Sequence, residues 1–356
     1  MITINNKEPE TIYIDNKEVS QIEINNDVVW TKTPPLDYFY IQNEYSGNNT
    51  FTLTVNGTLS PNDIEYSKDR YNWIEFDLSL PTTTISLDDG EKLYLRKSGL
   101  STPSYSNYVN ISCSESFSVG GDMTTFVDYS NDSITTLHDY QFFSLFKDAT
   151  TLLYADSLDF SKITTLSEYS MSQLFMGCSS LVSTPDLIFN NYGRYGISSI
   201  FRDCTSLVNP ANFGNQTKYT GRSVFYQTFF GCSSLQTPPN FSNLTLVDYS
   251  SSDFTFQYTF YNCTSLQYGP DFSGLTSIQP PMISGSAGLF ANCFNGCSSI
   301  TDIIAPNIST WSVDTFKDWV KNVSASGVLH KNNGTSIPTG DSGVPSGWTT
   351  SNYSNI

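Results

Sequence analysis

Charge is scarce in this chain: Asp, Glu, Lys and Arg together make up 14% of its 356 residues, and only 17 are Lys or Arg against 34 Asp or Glu, a formal net charge of −17. Nucleic-acid binding needs clustered cations to replace phosphate counterions, so this balance argues against it. Histidine is rarer still, with His138 and His330 alone. A Ser-His-Asp or Cys-His site would rest on one of those two, and neither lies in a nucleophile-elbow context. Phosphate-binding, dinucleotide and zinc-protease motifs are missing. No apolar run is long enough to span a bilayer, and Met1-Ile2-Thr3-Ile4-Asn5-Asn6-Lys7-Glu8 lacks the basic and apolar regions of a secretory signal. The reading is therefore of a non-enzyme without cofactor or metal, made in a cytoplasm and carried outward, neither binding nucleic acid nor inserting in a membrane.

What fills the space is a repeated phrase: Phe, two spacers, Cys, two small hydroxyl residues, then Leu or Ile. It occurs at Phe175-Cys178-Leu181, Phe201-Cys204-Leu207, Phe229-Cys232-Leu235, Phe260-Cys263-Leu266 and Phe294-Cys297-Ile300, with a worn first copy at Phe146-Ala149-Leu152. From Ala149 through Cys178, Cys204, Cys232 and Cys263 to Cys297 the steps are 29, 26, 28, 31 and 34 residues. A unit of this size cannot bury its apolar residues alone, so copies stack and each phrase position becomes a ladder through a shared core. Tyr169, Leu174 and Phe175 share a helical spacing upstream of their phrase, which predicts a short helix there. Downstream, Pro185 to Phe189, Pro210 to Phe213, Pro238 to Phe241 and Pro270 to Phe272 predict a short strand. Five of the seven cysteines sit in the phrase, and a ladder of equivalent residues reads as buried thiols rather than disulfides or a metal site.

The phrase followed by a Pro-containing strand resembles the BspA-like leucine-rich repeats of gut bacterial surface proteins, protozoa and phages of gut Bacteroidetes. The resemblance implies a curved α/β solenoid used for adhesion, over roughly residues 140 to 310. It is similar, too, to crAss-like phage proteins in which such repeats follow a domain carrying Tyr66, Trp73 and Asp88-Asp89-Gly90, and end in an F-x-x-W-V helix and a G-x-P-x-G-W element.

The remaining chain is organised around that array. Ile2 and Ile4, Ile12 and Ile14, and Ile22 and Ile24 alternate at a ten-residue period around Asn- or Asp-rich turns, ending at Trp30. This predicts short strands joined by tight turns, too small to stand alone. Residues 1–32 resemble the short β segments that open phage head and tail fibres, which implies docking on capsid or other virion proteins; the alternative is that they fold back on the next domain. Residues 37–127 read as an antiparallel β-sandwich, with strands near Phe51–Val55, Ile64–Tyr66, Trp73–Leu78, Ile85–Leu87, Leu93–Arg96, Val109–Cys113 and Phe117–Val119. Its aromatics suit either a core or sugar stacking, and Asp88-Asp89 either a turn or a Ca²⁺ ligand; core and turn are favoured. Residues 128–310 are the repeat array, and 311–356 a cap in which Ser312–Val323 is expected to be helical.

The chain thus reads as a multidomain, β-rich virion surface protein, a head fibre presenting repeats to host cell-surface glycan or protein as a homodimer or homotrimer. A tail receptor-binding protein, a bacterial adhesin and a tail depolymerase with paired carboxylates are the rivals. The longest repeat steps point to Asp253, Phe254, Met282 and Ser284 as the candidate ligand face.

Overall fold

The computed structural model describes residues 12–14, 17–19, 21–24, 27–31, 37–57, 64–98, 103–214, 218–219, 222–247, 254–276, 278 and 288–353. Residues 1–37 and 38–356 form two separate compact units. The whole is β-rich in several sheets with almost no helix: among the described residues the one α-helix is α1, Thr125–Asp128. No described helix is long and apolar enough to cross a membrane.

In the first unit the second and third ten-residue periods each make one hairpin. Strand β1 (Ile12–Ile14) pairs antiparallel with β2 (Lys17–Val19), and β3 (Gln21–Ile24) with β4 (Asp27–Thr31). Ile22 stands opposite Trp30. Ile2 and Ile4 lie outside the described residues.

The second unit opens with eight strands: β5 (Tyr40–Asn43), β6 (Asn49–Asn56), β7 (Ile64–Ser67), β8 (Ile74–Glu75), β9 (Thr82–Leu87), β10 (Lys92–Lys97), β11 (Tyr108–Cys113) and β12 (Phe117–Asp122). They lie in two sheets, one ordered β12-β5-β10-β7-β8 and one β11-β6-β9, and every pairing among these eight is antiparallel. Phe39, Ile41, Phe51, Leu53, Leu93, Leu95 and Ile111 bury themselves in a common core. The expected strand Trp73–Leu78 shrinks to Ile74–Glu75, because Asp77 turns the chain instead: its carboxylate accepts from the Ser79 amide, and its carbonyl from the Leu80 amide. Likewise Asp88 and Asp89 sit in a turn, where the Glu91 amide donates to the Asp88 carbonyl and Gly90 takes φ +67°.

From residue 136 successive segments of the chain, here called coils, are tied to one another by backbone hydrogen bonds. Four of them carry a short strand: β13 (Thr136–Leu137) pairs in parallel with β15 (Thr165–Leu166), and β16 (Lys218–Tyr219) with β17 (Leu246–Val247), while Asn191 makes a single parallel bridge to Thr165. On another side β14 (Leu152–Asp159) joins β12 in parallel, and β18 (Tyr268–Asp271), β19 (Asp302–Ile304), β20 (Val328–Lys331) and β21 (Thr349–Asn352) form a parallel sheet. The strands expected at Pro185–Phe189, Pro210–Phe213 and Pro238–Phe241 are not formed; at the fourth, Pro270 lies within β18, where the register shifts between Tyr268 and Asp271 because proline has no amide to give to the ladder. Their terminal phenylalanines are nevertheless buried.

The expected helix before each phrase is also replaced. In the copy at Phe175, the amides of Tyr169, Met171, Gln173, Phe175 and Gly177 donate to the carbonyls of Arg194, Gly196, Ser198, Ile200 and Arg202 on the next coil at 2.7–3.0 Å. The amides between them, from Ser170 to Cys178, close turns onto carbonyls three residues back. Every fourth residue therefore adopts the left-handed region, as at Tyr169 (φ 53°), Gln173 (φ 59°) and Gly177 (φ 77°). An α-helix uses its amides internally and holds φ negative throughout. Here half of the amides tie one coil to the next, which an α-helix cannot do.

Ser312–Val323, expected as a helix, is a further coil of this kind: Asp318 and Asn322 take φ 51° and 58°, and the Phe294 amide donates to the Trp319 carbonyl. All sixteen ladder residues are fully buried: Phe146; Phe175, Cys178, Leu181; Phe201, Cys204, Leu207; Phe229, Cys232, Leu235; Phe260, Cys263, Leu266; and Phe294, Cys297, Ile300. The phrase phenylalanines stack ring on ring from Phe146 to Phe294, with centroids 5.5–5.7 Å apart. Each buried ring contributes about 1.5–3 kcal/mol from its own burial. Every phrase thiol donates to the carbonyl of the preceding coil's phenylalanine: Cys178 to Phe146, Cys204 to Phe175, Cys232 to Phe201, Cys263 to Phe229 and Cys297 to Phe260, at 3.0–3.1 Å. Burial pushes all five thiols up, so they stay protonated donors.

Both ends of the stack are closed. At the first coil the Ile111 amide donates to the Leu145 carbonyl, and the Asn110 side chain donates to the carbonyls of Ser144 and Lys147. The carbonyls of Leu145 and Lys147 are ones that a preceding coil would otherwise serve, and Phe39 covers Phe146 edge-on at 6.1 Å. At the last coil the Val320 amide reaches the Asp341 carbonyl, and the indole of Trp319 donates to Gly343.

Candidate binding face

Six positions before the phrase Phe, Tyr140, Tyr169, Tyr195 and Ser223 lie in the left-handed region in the first four coils, whereas Phe254 and Gly288 at the next two do not. In the first three coils this residue is tyrosine: Tyr140, Tyr169 and Tyr195, at φ 56°, 53° and 53°. Their rings lie nearly parallel at interplanar angles of 8°, with centroids 5.1 Å and 4.9 Å apart. All three are half-buried. At one end Phe143 abuts Tyr140 edge-on, and beyond it stands Tyr105, 70% exposed. At the other end Tyr226 meets Tyr195 at 86°, and Phe254 follows Tyr226 at 6.4 Å.

One position earlier a charged residue precedes each tyrosine. Asp139 accepts from the Glu168 amide at 2.9 Å, and Glu168 pairs with Arg194 at 2.8 Å. The Arg194 guanidinium lies 5.2 Å from the Tyr195 ring centre. Burial pushes the Tyr169 phenol up, with Tyr195 adding and Arg194 opposing; burial with Glu168 and Asp139 does the same for Tyr140. Both phenols remain hydrogen-bond donors at neutral pH. Because neighbouring rings cover one another, what the row offers solvent is ring edges and hydroxyls rather than open faces.

Of the residues expected from the sequence to meet a ligand, Phe254 takes a place at the end of this aromatic row. Asp253, Met282 and Ser284 lie outside the described residues. Ile12, Ile14, Ile22, Ile24 and Trp30 belong to the hairpins of the first unit. Tyr169, read as sharing a helical face with Leu174 and Phe175, is half-buried between Tyr140 and Tyr195 instead, while Leu174 and Phe175 are fully buried. The row was legible in principle as a charged residue and a tyrosine at a fixed offset from the phrase, Asp139-Tyr140, Glu168-Tyr169 and Arg194-Tyr195, but the offset matters only once the left-handed turn is known.

Elsewhere in the second unit Trp73 and Tyr129 are engaged by a cation. Arg96 stacks between Trp73 and Tyr129, 4.0 Å from each ring centre, while it pairs with Glu65 at 2.7 Å. His330 on β20 meets Asp302 on β19 at 3.0 Å. No three of His, Cys, Asp and Glu group as a metal site among the described residues. Compared with known proteins, the chain matches no family model, no curated protein and no solved structure.

Proposed function

We propose that this chain is a non-enzymatic structural protein of a bacteriophage virion, a head fibre whose coils form a BspA-like leucine-rich solenoid that presents a binding face to host cell-surface glycan or protein. The row Tyr140-Tyr169-Tyr195 carries the reading. Half-buried tyrosines with few rotamers to lose, held in register on stacked coils and edged by Asp139, Glu168 and Arg194, make a preformed recognition surface. The repeat phrase supports the family, and the separate compact unit at residues 1–37 supports a docking module on the capsid. The fibre is proposed to act as a homodimer or homotrimer on the virion surface.

Mass spectrometry of purified phage particles, together with light scattering on the recombinant full chain, tests the setting. Peptides of this chain in the particle and a dimeric or trimeric mass are expected. Absence from the particle overturns the virion assignment and favours a secreted bacterial adhesin; localisation to tails by immunogold favours a tail receptor-binding protein.

A further inference from the structure

We propose that the Tyr140-Tyr169-Tyr195 row binds a neutral linear glycan laid along the axis of the coils, one pyranose ring to a coil; this deepens, and rests on, the reading of the chain as a surface-binding protein. Periodicity is the first argument. The three rings repeat at 5.1 and 4.9 Å, and an extended, equatorially linked chain of pyranose rings advances by close to one such step per ring. An extended peptide shows the same face only every second residue, about 6.6 Å along, and falls out of step after one coil.

Chemistry is the second. The hydroxyls of Tyr140, Tyr169 and Tyr195 make no hydrogen bond to the described residues, and the rings' own stacking leaves those hydroxyls and the ring edges outward. Beside them runs a second row, Asp139, Glu168 and Arg194, supplying carboxylate acceptors and a guanidinium donor. Adjacent hydroxyls of a sugar ring can donate to the one and accept from the other. Charge is the third. Glu168 and Arg194 offset each other, Asp139 adds a negative charge, and the chain stands at −17, so a polyanionic glycan is repelled and an uncharged one is not. Length follows as well: at the fourth coil the equivalent residue is Ser223, and Tyr226 crosses the row edge-on, so the regular array spans three coils.

The test uses the full chain on an array of neutral gluco-, manno- and galacto-oligosaccharides of two to six rings in both anomeric linkages, with acidic oligosaccharides alongside, followed by calorimetry. Affinity is expected to rise up to three rings and then level off. Tyr169→Phe and Tyr195→Phe keep the ring stack and delete the hydroxyls, so each is expected to weaken binding about five- to tenfold while the melting temperature holds. No binding to any neutral oligosaccharide, a preference for acidic ones, or unchanged affinity in both variants overturns the proposal. Adhesion to gut Bacteroidetes cells separates the two claims. Adhesion that survives both variants and competing oligosaccharide overturns the glycan site while leaving the surface-binding reading in place; loss of adhesion in both variants supports the two together.

Discussion

Asp203 places its Oδ1 2.3 Å from the point where a β-carbon on Gly231, one coil on, would lie. The same holds between Asp148 and Gly177 at 2.3 Å and between Asn262 and Gly296 at 2.1 Å. Reading that position through seven coils gives Asp148, Gly177, Asp203, Gly231, Asn262, Gly296 and Asn322, a strict alternation. All seven residues are left-handed, so Gly, Asn and Asp are the expected choices, but the alternation itself is steric. A side chain on one coil leaves no room for a side chain on the next.

Gly231→Ala is therefore expected to destabilise the stack, by about 1 kcal/mol for the left-handed alanine and about 1–3 kcal/mol more for overpacking against Asp203. Asp203→Gly in the same chain removes the second contribution. A double-mutant cycle in urea tests this: the double variant should be more stable than the sum of the single effects predicts. Strict additivity would mean that the two residues do not meet.

The thiol ladder makes a chemical prediction. Burial pushes Cys113 up to about 12 and the phrase thiols upward as well, and all seven cysteines are free and buried. Native protein at pH 8 is expected to resist a thiol reagent, and all seven should react once denaturant is added. Cys232→Ala removes the donor to Phe201 and leaves a small void, costing about 1–2 kcal/mol by thermal unfolding. Rapid labelling of a phrase cysteine in the native chain would contradict the ladder.

How far the sequence carried can be judged at the phrase. Phe175, Cys178 and Leu181 and their counterparts are legible as core because a repeated apolar position in a stack has nowhere else to go. The conformation between them is not legible: Met171, Leu174, Phe175 and Cys178 are spaced by three, one and three, as on a helix. Four-residue turns give the same spacing, and the choice is made by hydrogen bonds to the neighbouring coil, which a single segment does not encode. The tyrosine row was missed for the same reason, since a helical Tyr169 would point elsewhere. The ten-residue Ile periods were plain because their Asn- and Asp-rich turns are local signals.

Acid should loosen the loop after β7. The backbone hydrogen bond from Asn72, joined by those of the Tyr71 amide and the Asn72 and Ser67 side chains, outweighs the opposing effect of burial and holds the Asp69 carboxyl well below the usual range. Its folded pKa is depressed, so the stability it contributes is present above the ordinary carboxylate pKa and is lost as pH falls below it toward the folded value. Asp69→Ala is expected to lower the melting temperature at pH 7 and to flatten its acid dependence. Trp73, whose indole donates to the Arg70 carbonyl, supplies the local fluorescence readout. An unchanged acid profile would assign the loop's stability to other contacts.

The far end of the stack depends on tryptophan. Trp319 is fully buried against Phe294 and Phe316 and donates to Gly343. Trp319→Ala should cost about 3–5 kcal/mol and expose the amides of the last two coils to hydrogen exchange before those of the first two. Uniform loss of protection along the chain would show that the coils unfold as one unit.

The central claim is that a row of tyrosines on stacked coils recognises a host surface. Binding of fluorescently labelled full chain to a panel of gut Bacteroidetes cells, with Tyr169→Ala/Tyr195→Ala alongside, tests it directly. Saturable binding by the native chain, lost in a variant that remains folded, is the predicted result. Equal binding by the two chains would place recognition elsewhere and contradict the account.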